Sequence, residues 1–386
     1  MLHIGKYFPP VTGGMERFLG DLASAQRAAG GDVSVLVHES KSTDSGADPA
    51  WVMRCPVWFR LVFAPVSPAF PFWLNRAIRR FAPDVLHMHM PNPSCFWALS
   101  LPAAKALPWV VHWHSDVEPS RFRLALRLAY PPYRIFERAM LKRAQAIVVT
   151  SPQYLEASRA LRPWRLKCHV IPLGLDPARL AEVARHEHAG LWRGGGLRLL
   201  AIGRLTYYKG FDTLIRAVAA AADMELVIVG EGEERSSLEK VLTGHGNPPW
   251  IRLLGQADDA TCQRLLASCD VFCLPSRERT EAFGIVLMEA MRYGKPLLAS
   301  RLDGSGVTWV VQDGCNGMLV PPDSPPAWRE ALAALARDPQ RRQRLGENGR
   351  RRFEREFDIA NTASRLSDLY ATLSAAGRVD AVRKNP

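Results

Sequence analysis

Short uninterrupted runs of Val, Ile and Leu alternate with longer segments of helical periodicity along this chain, and that alternation constrains the fold more than any other feature. A strand that is apolar on both faces must be covered on both faces, which is the situation of a parallel sheet flanked by helices. The first series predicts strands near 2–6, 33–37, 84–88, 109–113, 146–150 and 169–173. The rhythm stops at Gly174-Leu175-Asp176-Pro177 and through a polar stretch ending in Gly194-Gly195-Gly196. It then resumes with strands expected near 198–203, 224–229, 251–254, 271–274, 296–299 and 317–320. At 386 residues the chain exceeds what one core usually supports. The expectation is an α/β chain of two Rossmann-like, doubly wound parallel-sheet domains facing across a cleft. The expected divisions are residues 1–178, a linker at 179–196, residues 197–356, and a terminal helix at 357–386 that packs back toward the first domain and frays at its tip.

Charge and cysteine usage narrow the chemistry. Residues 1–180 carry 22 Lys and Arg against 12 Asp and Glu, whereas the remainder is nearly balanced. Such asymmetry points to an anionic partner for the first half, a membrane surface or a phosphate-bearing substrate; nucleic acid is disfavoured because no aromatic-and-basic recognition motif accompanies the charge. Aromatic and basic residues do concentrate at Trp51, Trp58, Phe59, Arg60, Phe63, Phe70, Phe72, Trp73, Arg76, Arg79, Arg80 and Phe81. A second basic series follows at Arg121, Arg123, Arg127, Arg134, Arg138, Lys142 and Arg143. No stretch approaches the roughly 18 apolar residues of a membrane span, and the start lacks the pattern of a signal peptide, so a cytoplasmic protein that binds the membrane peripherally is expected. The seven cysteines form no CxxC pair and no Cys/His ligand cluster, and no metal site is expected.

Ligands of open parallel sheets bind beyond the carboxyl ends of the strands. After the first strand, Gly13-Gly14-Met15-Glu16 opens a helix whose unpaired amides suit an anion, although a Gly-Gly turn before a helix is as often structural. The fourth strand runs into His114-Ser115-Asp116, a histidine and a carboxylate placed to contact a sugar hydroxyl or transfer a proton; a satisfied structural histidine is the bland alternative. His112 is expected to turn elsewhere. In the second half, Gly203-Arg204 and Lys209-Gly210 put two cations five residues apart in a loop after a strand, enough to clamp a diphosphate without a divalent metal, or simply two surface cations. Glu281-Ala282-Phe283-Gly284 leads a helix containing Glu289, and two carboxylates among Ile, Val, Leu and Met need polar partners such as sugar and ribose hydroxyls, unless both are solvated. Amides near Phe283 and Gly284 suit a phosphate.

Gly-Gly-x-Glu at 13–16, His114, Gly-Arg…Lys-Gly at 203–210, Gly-Glu-Gly at 230–232 and the paired glutamates, in this order, resemble the large retaining glycosyltransferase family four with its GT-B fold. The resemblance spans nearly the whole chain. It implies that Gly14 approaches a donor or acceptor phosphate, with Gly13 beside it, and that His114 contacts the transferred sugar. It further implies that Arg204 and Lys209 hold the diphosphate, Glu281 binds sugar hydroxyls and Glu289 holds the ribose. Leu254-Gly255-Gln256-Ala257-Asp258-Asp259 resembles the family's base-binding loop, which brings Asp259 to the nucleobase. Many members carry a glutamate where this chain has Thr308. The segment around Thr308, with Tyr207-Tyr208-Lys209-Gly210, resembles the bacterial mannosyl- and D-rhamnosyltransferases that build O-antigen from GDP-sugars.

The resemblance thus implies hexosyl transfer with retention, without a cofactor, from a nucleotide-diphosphate sugar, a GDP-sugar ahead of a UDP-sugar, to a lipid-linked or oligosaccharide acceptor. No protein nucleophile is assigned, and the acceptor hydroxyl attacks from the face the diphosphate leaves. A nicotinamide oxidoreductase should show GxGxxG after a first strand and an acid about 20 residues later, and neither half does. A nucleotide-sugar epimerase would release a rearranged sugar without an acceptor. A non-catalytic nucleotide-sugar-binding protein would lose several of these polar groups, whose joint presence speaks against it. Oligomeric state is not legible.

Overall fold

The computed structural model describes residues 1–11, 13–40, 48–61, 64–117, 124–180 and 190–384, with backbone only at 61, 124–128 and 374–384. The chain divides into two compact units, one of Met1–Leu175 with Ile359–Pro386 and one of Asp176–Asp358. In the first unit the strands are β1 (Leu2–Ile4), β2 (Ser34–His38), β3 (Val52–Cys55), β4 (Phe59–Leu61), β5 (Ala64–Val66), β6 (Leu86–Met90), β7 (Trp109–Trp113), β8 (Ala146–Val149) and β9 (Cys168–Val170). Seven of them form a parallel sheet in the order β3-β2-β1-β6-β7-β8-β9, while β4 and β5 make a separate antiparallel hairpin. The second unit holds β10 (Leu197–Ile202), β11 (Met224–Val229), β12 (Ile251–Gly255), β13 (Val271–Leu274), β14 (Leu297–Ser300) and β15 (Gly317–Val320). They form a parallel sheet in the order β12-β11-β10-β13-β14-β15. Every residue of β2, β6, β7 and β8 is buried, which is what continuous apolar runs between two helical layers require.

Each strand read from the sequence is present, with one shift that matters: the third runs over 86–90, two residues beyond the expected 84–88, and so includes His89. Strand β3 was not foreseen because Arg54 interrupts its apolar pattern. Its charge is accommodated at this sheet edge by Asp48, at 2.6 and 2.9 Å, and by the carbonyl of Pro9 at 2.7 Å.

The expected linker also changes. The second unit begins at Asp176, and the residues after 189 are bound into it. Glu225 is buried and takes the amides of Arg193 and Gly194 at 2.8–3.0 Å together with the guanidinium of Arg252 at 3.0 Å, so its carboxylate anchors what composition alone reads as free chain. Residues 181–189 of that linker lie outside the described residues.

The terminal helix Ile359–Lys384 belongs to the first unit, where it packs on the helix Gly14–Ala28. Thr362 donates to the Pro172 carbonyl at 3.0 Å, and Tyr370 reaches His87 on the sheet. No helix of the described residues is long and apolar enough to cross a membrane.

Candidate active site

In the second unit the chain leaves β10 at Gly203 and makes a tight turn over Tyr207–Lys209 before the helix Phe211–Val218. Gly210 closes that turn with φ 64°, and a Cβ there would lie 2.2 Å from the Pro275 carbonyl oxygen. Only glycine lets the loop after β10 sit against the loop after β13. Arg277 locks the two loops together: it bonds Asp212 and Asp323 at 2.7 Å each, lies 4.7 Å over the Tyr207 ring, and its amide donates to the Tyr208 carbonyl.

That clamp brings Lys209 to Glu281. The ammonium and carboxylate meet at 2.6 Å, both nearly buried, and Ser276 donates to the same carboxylate oxygen at 2.9 Å. Burial opposes the charge on Lys209, but the carboxylate of Glu281 and the neighbouring Tyr208 outweigh it and hold the ammonium above its ordinary range. Arg204 stands exposed beside this pair, close enough to act electrostatically on both Lys209 and Tyr208. The helix Ile285–Arg292 begins just beyond, with Gly284 at φ 77° and no side chain capping its first amides. Phe283 contributes backbone here, since its ring is 3% exposed and packs 6.2 Å from both Trp309 and Phe357.

Glu289 sits one turn into that helix, buried, with Arg179 at 4.0 Å. Asp259 lies in the first turn of the helix Asp259–Ser268 after β12, while its neighbour Asp258 caps the helix by accepting from the Thr261 amide at 2.8 Å. Thr308 donates to the Ser305 carbonyl at 2.9 Å; Ser305 in turn bonds the Glu281 carbonyl, and the Gly306 amide bonds Ala282 at 2.8 Å. The segment carrying Thr308 therefore braces the backbone of Glu281. The structure joins Lys209 and Glu281 directly, with Arg204 within electrostatic reach, and places Glu289 one turn into the helix that follows Glu281 and Asp259 just beyond the end of strand β12.

Gly13, Gly14 and His114 lie in the first unit. Gly13 precedes the helix Gly14–Ala28 in extended conformation, and a Cβ on it would collide with the Glu16 carboxylate at 2.1 Å. Phe18 on that helix stands edge-on to His114 with ring centres 5.6 Å apart. Contrary to expectation, His112 does not turn elsewhere. The strand pleat continues regularly past Trp113, so His112 and His114 share a face and stack with centroids 4.3 Å apart and planes at 2°. They end a layer of five buried imidazoles, His3, His87, His89, His112 and His114, laid across β1, β6 and β7 under Phe18 and Tyr370. Burial pushes His3 down to about 4 and His114 down to about 3, and pushes His87, His89 and His112 well below the ordinary range. His114 is therefore a neutral hydrogen-bonding group at neutral pH and a poor proton acceptor.

Two triplets in this layer, His3/His87/His89 and His89/His112/His114, have ligand atoms within 4.8 Å of one another, close enough to raise the question of a metal. Within each strand the rings stack face to face, with planes 5° apart for His87 and His89 and 2° for His112 and His114, while across strands the ring nitrogens point at one another in pairs 3.0–3.2 Å apart instead of converging on one point. That is a hydrogen-bonding arrangement. The sequence did carry a signal for the layer, His-x-His twice, at 87/89 and 112/114, which places paired rings on one face of adjacent strands. Arg277, Ser276 and Arg179 carried none.

Two family descriptions match this chain: "Glycosyl transferase 4-like domain" over residues 13–174 and "Glycosyl transferases group 1" over residues 184–352. The chain is 29% identical over 383 residues to the O-antigen chain mannosyltransferase C of Escherichia coli, covering 97% of this chain and 98% of that one. It is 32% identical over 368 residues to the D-rhamnosyltransferase WbpZ of Pseudomonas aeruginosa, covering 92% of each. Among solved structures, the sucrose-phosphate synthase of Thermosynechococcus elongatus superposes with a TM-score of 0.81 at 23% identity over 97% of this chain and 99% of that one, which shows the shared fold.

Proposed function

The chain belongs to the group 1 glycosyl transferases, with a 4-like N-terminal domain, and on that premise we propose that it moves a mannosyl or D-rhamnosyl residue, with retention, from a GDP-sugar to a lipid-linked or oligosaccharide acceptor in cell-surface polysaccharide synthesis. The observation that carries this reading is the Lys209–Glu281 pair, with Arg204 exposed beside it and an uncapped helix start one residue past Phe283. Lys209 is held charged by Glu281, and Arg204 adds a bidentate donor, so a diphosphate leaving group meets preorganised positive charge. Each well-placed donor is worth about 3 kcal/mol of transition-state stabilisation in comparable sites. Glu281, fixed by Ser276 and Lys209, keeps a second carboxylate oxygen for sugar hydroxyls, and Glu289 takes the ribose. No nucleophile or metal enters the proposal: the acceptor hydroxyl attacks from the face the diphosphate leaves, and the leaving phosphate takes its proton.

The same reading places the enzyme at the cytoplasmic face of the membrane. Trp58, Phe59, Phe72, Ile135 and Phe136 are all at least half exposed, and Arg60, Arg76, Arg79, Arg80, Arg134 and Arg138 are exposed among them. Aromatic rings at headgroup level with cations beside them suit an anionic surface. Phe70 and Trp51 do not contribute, because Phe70 is fully buried and Trp51 packs edge-on to Phe8; Phe63, Arg121 and Arg123, and the side chain of Arg127, lie outside the described residues.

A panel of GDP-, UDP- and ADP-sugars measured for protection against thermal unfolding tests the donor assignment, since a ligand that binds only the folded state raises its stability. Protection by GDP-mannose above that by UDP-glucose is expected. Stronger protection by UDP-sugars would refute the GDP assignment.

A further inference from the structure

The five buried imidazoles form two hydrogen-bonded files. In the first, His3 Nε2 lies 2.8 Å from Gln26 Oε1, His3 Nδ1 lies 3.0 Å from His89 Nε2, and His89 Nδ1 lies 3.0 Å from His114 Nε2. In the second, Tyr370 bonds His87 Nδ1, and His87 Nε2 lies 3.2 Å from His112 Nδ1. A neutral imidazole carries one N–H and one lone pair, so fixing the proton on one ring fixes it along the file. An amide oxygen only accepts. With Gln26 Oε1 on His3, that ring must donate through Nε2, leaving Nδ1 to accept from His89 Nε2–H; His89 Nδ1 then accepts from His114 Nε2–H. The Gln26 oxygen is the amide atom that lies on His3, while its amide nitrogen is buried without a hydrogen-bond partner among the described residues. The file ends at His114 Nδ1, a buried atom with no partner among the described residues. An unsatisfied buried acceptor is costly to maintain, which points to a ligand that satisfies it.

We propose that Gln26, His3 and His89 are positioning residues that set the tautomer of His114, so that its one available nitrogen, Nδ1, is an acceptor for a hydroxyl of the bound sugar or acceptor. The proposal rests on the reading of His114 as a sugar-contacting residue. It assigns the Gln26 amide, three rings away from His114, a role that helix packing alone does not require.

Nitrogen-15 NMR of the full chain labelled at histidine reads the tautomers directly and needs no substrate, so its outcome is separate from that of any transfer assay. At pH 7 His3, His89 and His114 should each carry the proton on Nε2, with His114 identified by its loss in His114→Asn. Gln26→Glu, which still accepts, should preserve that order. Gln26→Leu should populate both tautomers at His114 and lower kcat for GDP-mannose hydrolysis about twofold or more with KM unchanged, because Glu289 and Asp259, assigned to the ribose and the base, lie in the second unit. A proton on His114 Nδ1 in the unaltered protein would overturn the proposal, as would a Gln26→Leu spectrum identical to the parent's. Loss of the ring N–H signals on adding one equivalent of zinc would also overturn it, in favour of coordination.

Discussion

Acidification should unfold the first unit well before the second. Six histidines of that unit are buried neutral: the five of the layer, and His38, which is pushed down to about 4 by burial while bonded to the Lys6 carbonyl at 2.9 Å. An unfolded histidine titrates near 6.5, whereas these remain neutral in the fold, so between pH 7 and 5.5 the unfolded state takes up protons that the folded state refuses. The sign follows: a depressed folded pKa contributes stability that is present above 6.5 and lost as pH falls. Each group costs about 1.2 kcal/mol over that interval, and six cost about 7 kcal/mol. Glu137 works the other way. Burial and the nearby Asp116 push it up to about 7, so it regains protons in the fold over the same interval and returns about 1.5 kcal/mol. The net loss, about 6 kcal/mol, is comparable to the whole stability of an ordinary domain. Urea unfolding followed by circular dichroism at pH 7.0, 6.0 and 5.5 measures it, and the first unit should separate as an earlier transition at the lower pH values. A change below about 1 kcal/mol across this range would refute the claim that the layer is buried and neutral.

Arg204→Ala should lower turnover about 100-fold or more with the melting temperature unchanged, as befits an exposed cation acting on leaving-group charge. Lys209→Ala should lose turnover and also about 3–5 kcal/mol of stability, because it strands Glu281 in the interior; equal melting temperatures for the two variants would remove the buried-pair account. Calorimetry with nucleoside diphosphate alone should show weakened binding in Glu289→Ala and near-normal binding in Glu281→Ala, and equal losses would mean the two roles are wrongly divided. EDTA should leave transfer unchanged, whereas loss restored by magnesium or manganese would contradict a leaving group stabilised by protein cations. Liposome sedimentation should show binding that requires anionic lipid and weakens with salt; no binding at low salt would remove the membrane surface from the proposal.

Strand positions were legible because a strand between two helical layers must be apolar on both faces, and that leaves a local mark in the sequence. Strand β3 lacked the mark, since Arg54 depends on Asp48 and the Pro9 carbonyl to be tolerated there. The loop after β10 was legible for a related reason: Gly203, Arg204, Lys209 and Gly210 are neighbours in the chain, and a glycine-bounded turn after a strand is a local event. The histidine layer was only half legible. His-x-His pairs are visible in the sequence, but their stacking depends on β1, β6 and β7 being adjacent and in register, with His89↔His112 opposite one another. Reading the third strand two residues early was enough to hide it.

By itself the sequence determined two parallel-sheet units, the strand ends at which chemistry can sit, and the residue types available there, because all three follow from local periodicity and composition. Only the tertiary structure decided what those residues are to one another. Lys209 and Glu281 are 72 positions apart, and it is the backbone approach at Gly210, held by Arg277, that turns them into a buried ion pair. The protonation of His114 was likewise beyond local reading, since it is set by burial beneath two helices from opposite ends of the chain and by a file of hydrogen bonds that runs across three strands.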